Sequence, residues 1–107
     1  MTPIDPAGFE ALYRDDPDPW RTWSSPFEAY KRRMLLAACG AGKHGRVLEL
    51  ACGSGATTAA LAARALRLDA VDSSPSALAA ARERCASQSN VTFIQADLPD
   101  DMPRGPY

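Results

Sequence analysis

Apolar and polar positions follow two rhythms along this chain. In residues 26–39 the apolar side chains Phe27, Tyr30, Met34, Leu35 and Ala38 recur at helical spacing. Ser25, Pro26 and Glu28 form a capping-box start, and Gly40 is a stop signal. Lys31, Arg32 and Arg33 fall on the watery side, with Glu28 and Arg32 as a favourable i,i+4 pair. The rhythm then changes. Arg46 to Leu50 reads as a strand, apolar but for Glu49, as expected where both faces of a parallel sheet are covered. Ala56 to Leu66 is almost pure Ala and Leu and predicts a helix. A second strand runs from Leu68 to Val71 and ends at Asp72. Ser74 and Pro75 open another helix, as cap and first position, which fades by Ser89 and Asn90. Val91 to Gln95 is a third strand, and Pro99 to Tyr107 is loop.

Strands alternating with helices of this length imply an α/β fold with parallel pairing and right-handed crossovers. Parallel crossovers bring the carboxyl ends of all strands to one rim, where open α/β sheets bind ligands. Residues 1–26 stand apart. They hold Pro3, Pro6, Pro17, Pro19 and Pro26 of the 9 prolines, a density that predicts little beyond a short helical turn at Phe9, Leu12 and Tyr13. Trp20 and Trp23 in this segment need cover, over the core or over a ligand. The expected division is a Pro- and aromatic-rich segment, 1–26, before a ligand-binding domain, 27–107.

Composition narrows the function. The 107 residues carry 12 Lys and Arg against 13 Asp and Glu, a net charge of -1, which disfavours a nucleic-acid binder. No basic-then-apolar leader opens the chain and no apolar run is long enough to span a bilayer, so a cytoplasmic protein without membrane contact is expected. Cys39, Cys52 and Cys85 are an odd number without a CxxC pair, which predicts reduced apolar fillers and no metal site. The one histidine, His44, sits in the Gly-rich stretch 40–45 with no nucleophile motif beside it, and is expected to face solvent.

The rim carries the chemistry. Between the first strand and its helix the chain reads Glu49-Leu50-Ala51-Cys52-Gly53-Ser54-Gly55. Gly53 and Gly55 permit a sharp turn and close approach of backbone to a ligand. A dinucleotide fingerprint needs a third glycine where Thr58 stands, and a phosphate loop with its Gly-Lys-Ser/Thr ending is absent. Asp72, at the second strand's end, is placed to accept from the vicinal hydroxyls of a ribose. Asp97, after the third strand, is placed to accept from the amine of a base. Three carboxylates at matched strand ends beside Gly-x-Gly suit a nucleoside with an amino-acid-like tail and no phosphate, S-adenosylmethionine.

The segment VLELACGSGATTAALA resembles the first motif of class I S-adenosylmethionine-dependent methyltransferases, Asp/Glu-x-Gly-x-Gly-x-Gly. VDSSPSALAAAR and FIQADLPD resemble the second and third motifs, and LYRDDPDPWRTWSSPFEAYKRR is similar to the amino end of the nodulation-protein-S-like (NodS-like) branch. The resemblance implies a set of cofactor-binding positions. Gly53 and Gly55 line the methionyl and ribose part. Glu49 braces the loop and reaches the ammonium through it. Asp72 takes the ribose hydroxyls, Asp97 meets the adenine amine, and Leu98 lies against the ring. Tyr13 and Trp20 are candidates to cover the cofactor. Ala51 replaces the first motif glycine, and Ser73 stands where the family has an apolar residue against adenine. Asp69 falls inside a buried strand, with Arg67 or Arg64 as its expected partner.

The family sheet has seven strands in the order 3-2-1-4-5-7-6, of which this sequence supplies strands 3, 2 and 1, so the resemblance implies a partial doubly wound, Rossmann-like parallel sheet. The resemblance therefore implies the cofactor-binding half of a methyltransferase, truncated before strand 4, inactive alone, with no catalytic residue to assign. It also implies a small-molecule or oligosaccharide acceptor, N-methylation, and self-association through the exposed edge of the first strand. A non-catalytic nucleoside-binding module, or a pseudo-enzyme partner completed by another chain, is the alternative.

Overall fold

A computed structural model describes residues 4–107; the first three residues, with Pro3, lie outside the described part. Four helices and three strands follow in order: α1 (Pro6–Asp15), α2 (Pro26–Ala38), β1 (His44–Leu50), α3 (Ala56–Ala62), β2 (Ala65–Asp72), α4 (Pro75–Arg84) and β3 (Val91–Gln95). The strands form one sheet in the order β1-β2-β3, parallel throughout, with Leu50 opposite Val71 and Asp72 opposite Gln95. The expected rim therefore exists: Leu50, Asp72 and Gln95 end their strands in one row.

Alternation along β2 divides the two faces. Leu68 packs with Leu61 and Ala62 of α3, and Ala70 packs with Leu78 of α4, so both crossover helices cover the same face. Leu68 and Leu78 are fully buried, worth about 1.5–3 kcal/mol each. Asp69 and Val71 point to the other face and are also buried.

Several expectations change, among them the start of β1, which is His44 and not Arg46. First, residues 6–15 form a full ten-residue helix, not a short turn. The prolines do not prevent it because Pro6 occupies the first helical position, after the Asp5 cap, and Pro17 lies beyond the end. Second, α3 stops at Ala62 instead of Leu66. Strand pairing overrides helix propensity here, since Ala65 and Arg67 are needed opposite His44 and Arg46. The Asn90 amide holds the turn by donating to the carbonyls of Ala62 (2.8 Å) and Ala65 (3.0 Å). Third, Glu28 pairs with Lys31 at 3.1 Å, while Arg32 donates to the Thr22 carbonyl at 2.9 Å. Fourth, Asp69 is held chiefly by Arg46 (3.0 and 3.2 Å) and the Tyr107 hydroxyl (2.9 Å), with Arg67 at 3.5 Å. Arg64 instead donates to the carbonyls of Leu36 and Gly40. Burial pushes the Asp69 carboxyl up, but these donors outweigh it and hold the group below its ordinary value.

His44 opens β1 at the surface, its ring 2.8 Å from the Cys39 carbonyl. No helix of the described residues is long and apolar enough to cross a membrane.

Candidate functional site

The turn after β1 is built on left-handed backbone. Ala51, Gly53 and Gly55 have φ of 57°, 56° and 89°. The Cys52 amide donates to the Val71 carbonyl (2.9 Å), which keeps the loop against the end of β2. Asp72 completes that link. Its Oδ2 accepts from the Gly53 amide at 2.9 Å and its Oδ1 from the Ser74 amide at 3.0 Å. One carboxylate thus joins the loop, the end of β2 and the start of α4. Each of its oxygens keeps a further lone pair for a ligand.

The two glycines serve different contacts. A side chain on Gly53 would stand 2.7 Å from the Tyr13 hydroxyl. On Gly55 it would meet Ala81 Cβ at 3.0 Å and Cys85 Sγ at 3.2 Å. The absent side chain of Gly55 therefore brings α4 close, whereas that of Gly53 makes room on the α1 side. Behind the loop, Glu49 Oε1 accepts from the Thr58 hydroxyl at 2.6 Å. Burial raises the Glu49 carboxyl to about 7, the Thr58 bond opposes this, and the charge of Asp72 adds to it. Cys52 and Cys85 are buried, which raises both thiols above their ordinary range.

A cavity of about 440 Å³ opens at the rim. Ala51, Asp72, Ser73, Ala96, Asp97 and Leu98 line one side, and Ile4, Pro6, Phe9 and Tyr13 the other. Of the eight positions expected from the sequence, Ala51, Asp72, Ser73, Asp97 and Leu98 line it together. Gly53 lies beneath Tyr13, while Glu49 and Gly55 stand behind the lining. Tyr13 is a wall of the cavity; burial, reinforced by the nearby Asp72 charge, pushes its phenol up to about 12. Trp20 does not line the cavity. It supports the wall from outside, with ring centroids 6.1 Å from Phe9 and 5.7 Å from Tyr13.

Sequence reasoning missed two attachments of the amino-terminal segment. Trp23 donates its indole N–H to the Ser54 carbonyl at 3.1 Å. The buried Asp18 accepts from Thr22 and Trp23 and lies 3.4 Å from the Ser54 hydroxyl. Glu10 accepts from Ser74 and Ser76 at the start of α4. The signal available for the wall was Phe9 and Tyr13 at i,i+4 behind an Asp5-Pro6 cap; nothing local marked Glu10.

Residues 47–106 match the family described as "Methyltransferase domain". The chain belongs to this family. Its relatives include nodulation protein S of Sinorhizobium fredii (strain NBRC 101917 / NGR234), 35% identical over 82 residues, covering 76% of this chain and 38% of the relative. Nodulation protein S of Azorhizobium caulinodans is 32% identical over 101 residues, covering 91% of this chain and 48% of the relative. Among solved structures, the N-methyltransferase NodS of Bradyrhizobium japonicum WM9 in complex with S-adenosyl-L-homocysteine superposes with a TM-score of 0.72 at 32% identity. That match covers 85% of this chain and 46% of the other. The chain therefore spans less than half the length of each of these proteins. The expected class I, NodS-like family and its partial Rossmann-like sheet are borne out.

Proposed function

We propose that residues 27–107 are the amino-terminal, cofactor-binding half of an S-adenosylmethionine-dependent methyltransferase, and that residues 1–26 are a separate segment of which Ile4 to Tyr13 cover its cavity. The observation that carries this reading is Asp72, whose two oxygens are each anchored by one backbone amide while the carboxylate faces a cavity of nucleoside size. The remaining lone pairs suit a vicinal diol. Asp97 lies on the same wall, exposed, and among the described residues its carboxylate accepts no hydrogen bond, which leaves it for an amine of the base. Leu98 and Ala51 supply apolar contact, and Ser73 a polar one. The Tyr13 hydroxyl above Gly53 faces the part of the ligand that lies along the loop. When bound, S-adenosylmethionine supplies an electrophilic methyl carbon on a sulfonium. The residues of this chain bind and orient that cofactor; none is assigned a proton-transfer role.

By kinship with NodS the reaction is N-methylation, and the acceptor is a small molecule, an oligosaccharide among the candidates. The 107 residues by themselves are proposed to bind cofactor without turnover, because rate depends on holding the acceptor in line and they span 46% of the NodS chain. The test is calorimetry of the purified chain with S-adenosylhomocysteine and with NAD. Binding of the first alone is expected, and Asp72→Asn should weaken it about tenfold or more, as for a lost charge-assisted hydrogen bond. Preference for NAD, or an Asp72→Asn chain that binds equally well, rejects the proposal.

A further inference from the structure

The wall formed by α1 has little to hold it. None of its residues is buried, and ten residues are too few for a stable isolated helix. Its directed attachment is a single carboxylate. Glu10 Oε1 accepts from the Ser74 hydroxyl at 2.9 Å and the Ser76 amide at 2.8 Å, and Oε2 accepts from the Ser76 hydroxyl at 2.7 Å. These bonds, led by the Ser76 amide, hold the Glu10 carboxyl down at about 2, so it is charged at neutral pH. An anion here also meets the positive end of the α4 dipole. Glu10 adjoins Phe9 and lies three residues before Tyr13, the two aromatic members of the wall.

The clasp reaches further. Ser74 is the α4 cap, its hydroxyl accepting from the Ala77 amide, and its own amide donates to Asp72 Oδ1. Glu10 therefore grips the residue that orients the cavity carboxylate. We infer that Glu10 is a positioning residue: it locks α1 across the cavity and, through Ser74, fixes Asp72 for its ligand. The inference rests on the cofactor reading above for the identity of that ligand, but not for the clasp.

The experiment uses the 107-residue chain and the variants Glu10→Ala, Glu10→Gln and Ser76→Ala. Hydrogen exchange reads the α1 amides, and calorimetry reads affinity for S-adenosylhomocysteine. In Glu10→Ala the α1 amides should exchange at least about tenfold faster while β2 stays protected, and affinity should fall about tenfold. Glu10→Gln, which keeps one acceptor oxygen, should fall between it and the parent. Ser76→Ala removes only a hydroxyl donor and should loosen α1 in part, which keeps the question answerable if Glu10→Ala does not fold. Unchanged α1 exchange in these variants overturns the clasp. A freed α1 with unchanged affinity overturns the positioning role. A parent chain that binds no S-adenosylhomocysteine rejects the cofactor reading and the positioning role with it, while α1 exchange still decides the clasp.

Discussion

Ala51 has a left-handed φ of 57°, a conformation that costs a residue with a Cβ about 1–2 kcal/mol. The family motif carries glycine there. Ala51→Gly should therefore be neutral or stabilising by up to about 1 kcal/mol, against the usual direction for Ala→Gly, once the flexibility gained by the unfolded chain is deducted. Denaturant midpoints check this. Glu49 makes a second prediction, on pH. Its carboxyl is raised from 4.5 to about 7 in the folded chain, first by burial. Between those values the unfolded chain has released the proton and the folded one has not. Stability should thus fall as pH rises from 4.5 to about 7, by roughly 3 kcal/mol at most, and level off above. Glu49→Gln should remove that slope, which denaturation across pH 4–8 would read. The thiols give a third. Cys52 and Cys85 are buried with raised pKa values, whereas Cys39 is half-buried. A thiol reagent on the native chain should label Cys39 first, and labelling of Cys52 at a comparable rate would contradict the packing.

The seven elements were legible in unequal measure. Strand β3 matches the sequence pattern to the residue, and helix α2 starts at the expected cap and ends at Ala38, one residue earlier than read. The α3–β2 boundary was misread because Ala and Leu favour helix locally, while the pairing that ends α3 comes from β1, about 20 residues away. Asn90 holds that boundary from a third element. Asn90→Ala leaves the carbonyls of Ala62 and Ala65 without their donor and should cost about 1–3 kcal/mol, measured by thermal or denaturant unfolding. The apolar face read on α2 behaves differently from expectation. Phe27, Tyr30 and Met34 are each more than half exposed, and it is Leu36 and Cys39 that pack against the α3 core.

On the scale of the whole molecule, β1 is an edge strand of the described sheet, and Leu50 at its end is 45% exposed. Unpaired edges and large apolar patches promote association. We propose concentration-dependent self-association of the isolated chain, which sedimentation should detect and Leu50→Lys should weaken; a strictly monomeric chain at high concentration would refute it. The amino-acid sequence alone determined the alternation of strand and helix, the glycine turn and the carboxylates at the strand ends. These are local signals, carried by caps, periodicity and residue chemistry within a few positions. Tertiary structure decided what lies far apart in sequence: Glu10 on Ser74 and Ser76, Trp23 on Ser54, Arg46 and Tyr107 on Asp69. Each joins polar groups from segments distant in sequence, whose pairing is set by how the amino-terminal segment, β1 and the carboxyl-terminal residues lie in the fold, and no pattern along the chain encodes that distance.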